Sequence, residues 1–446
     1  MTPFDAEWAA HVAAHGTPDR IEAILPDINC IPRGKWLPGT EAGKLAKGGL
    51  RLPESTYAPN IFGEEVDDSG LGSVKGDPDG VLLPIPGTLL PVPWSDGNVA
   101  QMLVEMVDDT GAPSALSARG HLARMVGRFA ARGLHPVVAT ELEFYVCRPR
   151  EETSDAPEPP SGLGRARNYD MGALDRTEDL MAEIIAAAQA QGLPTDTLTA
   201  EYGPGQFEIN FLHTADVLAA ADMAVLFRRL VAGVVGSHGL EATFMAKPYA
   251  DHPGNGMHAH VSVLNDAGDN VFAADDGVGP LLGHAVAGVL ATMRDLQLVF
   301  APHLNSFRRF QPNSFAPTSP DWGIDHRGVA VRLPETTGKA ARLEHRICGA
   351  DVNPYLALTG ILGGMLHGIE QGLVPPAPLG AGEVSDKPPL SHDWLDTIAA
   401  FRTSPIARDI WGEEFHSVLC AVKADEAAQL TRIIPPAEYR TYLGRI

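Results

Sequence analysis

Four short stretches of this chain alternate charged or polar residues with apolar ones, and no other feature restricts the fold as strongly. In Val138–Val146, Glu141 and Glu143 share a face while Leu142, Phe144 and Val146 take the other. In Gln206–Phe211, Gln206, Glu208 and Asn210 alternate with Phe207, Ile209 and Phe211. In His258–Val263, His258, His260 and Ser262 alternate with Ala259, Val261 and Val263. In Arg342–Ile347, Arg342, Glu344 and Arg346 alternate with Leu343, His345 and Ile347. Strand side chains change face with a period of two, so each polar set is aimed one way. In a common sheet these strands bring together several carboxylates, a histidine pair and arginines. Carboxylates that close repel unless cations neutralise them. The pattern therefore implies a site for divalent metal ions and an anionic substrate.

A chain of 446 residues has room for two or three domains. No apolar run reaches the ~18 residues of a membrane span, and the start, MTPFDAEWAA, lacks a secretion signal. A cytoplasmic protein with no membrane partner is expected. Cys30, Cys147, Cys348 and Cys420 form no Cys-x-x-Cys pair and read as reduced, buried thiols. The formal net charge of −22 argues against a nucleic-acid partner, because phosphate binding needs a basic surface.

Residues 1–20 read as a helix, and 21–38 as strand, turn and strand. Residues 60–96 are rich in Gly, Asp and Pro, with the turn signal GDPDG at 76–80. The region to residue 105 reads as a small mixed or β-rich domain. Helical patterns cover about 98–108, 117–132, 172–191, 215–236, 281–298, 354–372, 393–402 and 412–430. Residues 151–162 read as an exposed loop. Asn353 followed by Pro354 is a helix start, with Asn as N-cap and Pro at the first helical position.

Several signatures are missing. GTEAGK at 39–44 is one residue too short for a phosphate-cradling P-loop, and Leu45 stands where a Ser/Thr is needed. No Gly-x-Gly-x-x-Gly follows a strand, and the glutamate a cupin needs after His258-x-His260 is absent. Oxygen ligands with an imidazole favour Mg²⁺ or Mn²⁺ over zinc. Such ions near several arginines suit phosphoryl transfer, where both neutralise charge on phosphate oxygens.

ELEFYV, EYGPGQFEIN, GNGMHAHVSV, NSFRR, HRGVAVRLP and RLEHRICGADVNPYL occur in the order and spacing of the glutamine synthetase superfamily, which residues 20–446 resemble. The resemblance implies an α+β fold. An N-terminal β-grasp domain with a leading helix would cover 1–105. A catalytic domain with a large antiparallel sheet flanked by helices would cover 106–446. It also implies ATP, two to three Mg²⁺ or Mn²⁺ ions, L-glutamate as substrate, and a homododecamer of two hexameric rings with shared active sites. By resemblance, Glu143, Glu201 and Glu208 hold the metal nearest the substrate, and Glu141, His258 and Glu344 hold the one at the nucleotide phosphates. Arg309 and Arg346 resemble the arginines at the glutamate carboxylate and reacting centre. Arg327 and Arg332 resemble those at the ATP phosphates, with Lys339 adding a contact. Gly254 matches the backbone position against glutamate, and His260 and Ser262 are expected to line the nucleotide pocket.

Departures from the ammonia-using members bear on the second substrate. Their flap glutamate, six residues after the arginine matched by Arg309, is Phe315 here. The Asn before the glycine matched by Gly254 is Pro253. Their Asp-Gly-Ser-Ser segment is replaced by DDSGLGSVKGDPDG, where Asp67 or Asp68 could substitute for the aspartate at the ammonium pocket. An aromatic ring in place of a carboxylate suits an amine carrying carbon, through dispersion and cation–π contact. DINCIPRGKWLP, MAKPYADHPGNGMHAHVSV and NSFAPTSPDWG resemble the γ-glutamylpolyamine (γ-glutamylputrescine) synthetase branch, except that Cys30 stands where glycine is usual. The expected reaction is ATP-dependent joining of the γ-carboxylate of glutamate to an organic amine; the alternative is glutamine synthesis from ammonia. For the amine's proton, Glu201, Glu208 or an aspartate from a neighbouring subunit are the candidate acceptors.

Overall fold

The computed structural model describes residues 3–108, 110–164, 168–311 and 314–446. Met1 and Thr2 of the expected leading helix, and Pro312 and Asn313 of the segment around Phe315, lie outside the described residues. The leading helix runs Pro3–His15. Six strands follow: β1 (Arg20–Pro26), β2 (Pro32–Pro38), β3 (Leu50–Pro53), β4 (Asp79–Pro84), β5 (Leu90–Pro91) and β6 (Val99–Val107). They form one sheet in the order β2-β1-β6-β4-β3, with β5 also on β6. β6 corrects the helix expected over 98–108. Its sequence, VAQMLVEMV, is buried on both faces over most of its length. A short, nearly continuous apolar run carries no period that separates strand from helix. Its parallel pairing with β1 and antiparallel pairing with β4 fix it as a central strand.

The hairpin β1–β2 turns through Asp27–Ile31. Cys30 holds the left-handed conformation there, with φ of 60°, where glycine would be cheaper. The turn is held by Asp27, whose Oδ1 accepts from the N–H groups of Asn29 (2.9 Å) and Ile31 (2.8 Å).

The second sheet has eight strands: β7 (Leu134–Cys147), β8 (Thr195–Ala200), β9 (Gln206–Phe211), β10 (Glu241–Thr243), β11 (Met257–Asn265), β12 (Trp322–Ile324), β13 (Val331–Glu335) and β14 (Arg342–His345). Their order is β12-β13-β14-β11-β7-β9-β8, with β10 on the end of β7. All pairings are antiparallel except the short rim pair β12–β13. The four alternating stretches thus lie on β14, β11, β7 and β9, side by side.

One face of this sheet is core. Leu142, Phe144, Phe207, Ile209, Val261 and Leu343 are buried there, and Phe144 packs on Phe207 and Phe227 at ring-centroid distances of 6.0 and 6.3 Å. Helices Ala118–Ala130 and Val217–Ser237 pack against β7, and Pro280–Thr292 packs on Pro354–Gln371. The pattern expected at 281–298 divides into Pro280–Thr292 and Gln297–Phe300. Asn353 caps the helix Pro354–Gln371 as expected, its side chain accepting from the N–H groups of Tyr355 and Leu356. Its Nδ2 also donates to the Asp27 carbonyl at 3.1 Å, tying that helix to the β1–β2 turn. Asn353→Ala should cost about 1–2 kcal/mol, the usual worth of an N-cap plus part of that bond, and lower the thermal midpoint of unfolding. An unchanged midpoint would show that the cap is dispensable.

All four cysteines are free and buried. Among the described residues no helix is long and apolar enough to cross a membrane.

Candidate active site

Strand register gathers the polar residues into rows across the second sheet. Arg332, Glu344 and His260 are direct cross-strand neighbours on β13, β14 and β11. His258, Glu141 and Asn210 make the next row, on β11, β7 and β9. Glu143, Glu208 and Thr199 make the third, on β7, β9 and β8. Glu201 follows β8 directly. The rows open into a cavity of about 690 Å³, whose walls include Glu141, Glu143, Glu201, Glu208, Gly254, His258, Arg309, Phe315, Arg327, Arg332, Glu344 and Arg346.

Glu141 bridges two imidazoles: Oε2 meets His258 Nδ1 at 3.0 Å and Oε1 meets His260 Nε2 at 2.8 Å. Burial opposes ionisation of Glu141, but these hydrogen bonds and the histidines' charge pull it well below the usual carboxylate range. Among the described residues Glu208 has no imidazole partner, only the Asn210 side chain. Burial, with Glu141 and Glu143 beside it, pushes it up to about 9. Burial and Glu201 push Glu143 up to about 7, against the hydrogen bond from the Gly256 N–H at 2.7 Å. Carboxylates held protonated in this way release the proton to bind a cation, so metal affinity should rise with pH.

Potential ligand atoms of Glu141, Glu208 and His258 lie within 4.8 Å of one another, as do those of Glu141, His260 and Glu344. Oxygen-rich trios completed by imidazole fit Mg²⁺ or Mn²⁺. The grouping differs from the expected division. Glu141 belongs to both trios, and His260 stands beside Glu344 as a second imidazole.

The cations of the site are unevenly paired. Glu344, 1 % exposed at its side chain, lies between Arg346 and Arg332, whose Nη1 donates to Oε2 at 3.0 Å. Arg332 also pairs with Asp325. Arg346 Nε donates to the Arg327 carbonyl at 3.2 Å. Arg309, 5 % exposed, donates from Nη1 to the Ile347 carbonyl at 2.9 Å and has no ion-pair partner among the described residues. A buried, unpaired guanidinium is costly unless an anion joins it.

Gly254 leaves no room for a side chain. A Cβ there would stand 2.4 Å from the Ala246 carbonyl oxygen and 2.6 Å from Arg309 Cγ. Gln206, on the polar face of β9 but not expected in the site, braces this segment. Its Nε2 donates to the Gly254 carbonyl at 3.0 Å and to Asn255 Oδ1 at 3.1 Å.

Phe315 lines the mouth, 62 % exposed, in the left-handed conformation with φ of 63°. Its ring stacks on Tyr202, with centroids 4.7 Å apart and planes at 27°. Tyr202 was not expected there; its only signal in the sequence is its place after Glu201. Ser262 and Lys339 are outside the cavity walls. Ser262 pairs with Val137, two strand steps further along β11 than His260. Lys339 lies exposed in the short turn Gly338–Ala340. His260 is buried behind Glu141 rather than on the cavity surface. Asp67 and Asp68 lie in the N-terminal region, away from this cavity's walls.

Known proteins resemble this chain over most of its length. Residues 115–442 match the glutamine synthetase catalytic domain. The chain is 37% identical to the γ-glutamylputrescine synthetase PuuA of Escherichia coli K12, over 98% of this chain and 94% of that one. It is 32% identical to a glutamate–isopropylamine ligase of a Pseudomonas species, over 96% and 95%. The solved structure of GmaS without ligand superposes with a TM-score of 0.85 at 27% identity, covering 98% of this chain and 99% of that one. With a carboxylate–histidine sheet face, a buried free arginine and a matching catalytic domain, this chain belongs to the glutamine synthetase family.

Proposed function

We propose that this protein is a ligase that uses ATP to join the γ-carboxylate of L-glutamate to an organic amine. The observation that carries the reading is the aromatic pair Phe315–Tyr202 at the mouth of a cavity otherwise lined by carboxylates and arginines. That wall favours an alkyl-bearing amine over a small ammonium ion. The two relatives named above as a putrescine conjugating enzyme and an isopropylamine ligase support it.

Arg309 is assigned to the substrate carboxylate, with the backbone at Gly254 against the amino acid. Arg327 and Arg332 are assigned to the ATP phosphates, and Arg346 to the reacting centre. Two to three divalent ions, held by Glu141, Glu143, Glu201, Glu208, His258 and Glu344 with His260 close by, would neutralise charge on the phosphate oxygens. A γ-carboxylate oxygen of glutamate attacks the γ-phosphorus of ATP, and the bond to the β–γ bridging oxygen breaks to release ADP. The neutral amine then attacks the acyl carbon of γ-glutamyl phosphate and phosphate leaves. An amine of pKa near 10 arrives protonated at neutral pH, so a base must accept its proton. Glu201, which adjoins Tyr202 in the cavity wall, is the assigned acceptor, with Glu208 as the second candidate.

The test is phosphate release with ATP and glutamate across ammonium and a panel of alkyl amines and diamines. Higher kcat/KM for organic amines supports the reading, and preference for ammonium over every amine replaces it with plain glutamine synthesis.

Assembly is part of the proposal: the N-terminal domain, whose sheet runs on through Val107 at the end of β6 and past the expected boundary at 105, would complete the site that the catalytic domain of a neighbour carries. The C-terminal arm supports an assembly, since Ile433, Ile434, Tyr439, Tyr442, Leu443 and Ile446 are all exposed. Light scattering should give a mass many times the 47.4 kDa chain, twelvefold for two stacked hexamers. A fully active monomer would contradict the shared site.

A further inference from the structure

A second cavity, of about 740 Å³, opens between the β1–β2 turn and the helix Val217–Ser237. It shares no lining residue with the candidate active site. Its wall is apolar and partly aromatic, with Ile31, Ile61, Trp94, Phe244 and Met245. Trp94 lies flat against the helix because Gly233 carries no side chain; a Cβ there would stand 2.2 Å from Trp94 Nε1.

Most polar groups around this cavity are already satisfied. Arg229 pairs with Glu22 and donates to Gln101. Asn305 exchanges hydrogen bonds with both backbone groups of Lys247, and Asn29 is bonded to Glu426 and Lys423. Arg228 and Asp351 are only partly satisfied. Arg228 donates to the Val352 carbonyl at 2.6 Å and sits 5.6 Å from the centre of the Phe244 ring, with no ion-pair partner among the described residues. Asp351 is 9 % exposed, and although its Oδ2 accepts from Ser306 Oγ at 2.6 Å, its buried Oδ1 has no hydrogen-bond partner among the described residues. Unsatisfied buried polar atoms call for an explanation. Here the Arg228 guanidinium and the Asp351 carboxyl share one apolar-walled cavity.

We propose that this cavity binds the zwitterionic head of an α-amino acid with an apolar tail, its carboxylate on Arg228, its ammonium on Asp351 and its tail along Trp94 and Phe244. Two sources share that chemistry: a free apolar amino acid, and a γ-glutamyl alkylamide. The second rests on the ligase reading, because it would be the product. Ser306 begins the turn Ser306–Arg309 and donates to Asp351, so a ligand on Asp351 would be one hydrogen bond removed from the short segment that presents Arg309 to the active site. Occupancy of one cavity can thereby alter the other.

Isothermal calorimetry on the full chain, without ATP and so independent of turnover, tests the site with L-leucine and γ-glutamylbutylamide as probes. Binding of either supports it, and the tighter probe names the source. Arg228→Gln and the cavity-filling Ala232→Trp should each weaken binding at least tenfold while the KM for glutamate stays within twofold of wild type. 4-Methylpentanoate, which lacks the ammonium of leucine, should bind at least tenfold more weakly than leucine. Equal binding to Ala232→Trp and wild type, displacement of the probe by glutamate, or no binding of either probe at millimolar concentration would overturn the assignment.

Discussion

Replacing Glu143 or Glu344 with alanine is expected to lower phosphate release at least a thousandfold while the assembled protein remains folded. Removing one preorganised electrostatic group from an active site costs about 10²–10³ in rate. Each of these residues is assigned to hold a divalent ion, so its loss removes more than its own charge. A thousandfold corresponds to about 4 kcal/mol of transition-state stabilisation. The two variants should differ in stability. Glu143 is pushed up to about 7 by burial and Glu201, so its removal relieves repulsion but leaves the Gly256 N–H without its acceptor. Glu344 is the counter-charge of both Arg332 and Arg346, and its removal leaves two cations under-paired. Glu344→Gln, which keeps shape and one acceptor, is therefore the companion variant. Added Mg²⁺ should raise the thermal midpoint of the wild type and do so less in either variant. Near-normal turnover in any of them would remove the metal assignment.

Organic amines should exceed ammonium in kcat/KM by two or more orders of magnitude. Each methylene buried against Phe315 and Tyr202 contributes about 0.8 kcal/mol, roughly a fourfold gain, so a four-carbon chain reaches this range unaided. The backbone strain at Phe315, about 1–3 kcal/mol for a side chain held at positive φ, shows that the ring is kept at the mouth at a cost. Phe315→Glu should narrow the gap by improving ammonium capture and removing apolar contact. Measuring both specificity constants in wild type and variant checks this; a gap unchanged by Phe315→Glu would remove the residue from amine selection.

Much of the site could be read from the chain because a strand has a period of two. Glu141, Glu143, Glu208, His258 and Glu344 lie on the polar faces that alternation marks, and sheet order makes them neighbours; their roles as ligands come from the family resemblance. Alternation does not give register, so the sharing of Glu141 between His258 and His260 could not be anticipated. Nor could the stack of Phe315 on Tyr202, since no local pattern joins residues that meet only through tertiary folding. The strand Val99–Val107 was misread for another reason: buried on both faces, it shows no polar side from which a period could be taken. Ser262 illustrates the reverse. Its parity on β11 was right, but distance along the strand carried it out of the cavity.

Asn29, in the β1–β2 turn, donates to Glu426 at 2.8 Å across a separation of 397 residues, and buried Lys423 completes the contact. During synthesis the turn is made first, and its partner Glu426 follows 397 residues later. At roughly 5–20 residues per second, about 20–80 s pass before they can meet. Throughout that interval the polar groups of Asn29 must be satisfied by water. The β1–β2 turn therefore gains these contacts only after residue 426 is made, and a chain released before residue 420 should leave that turn open to proteolysis.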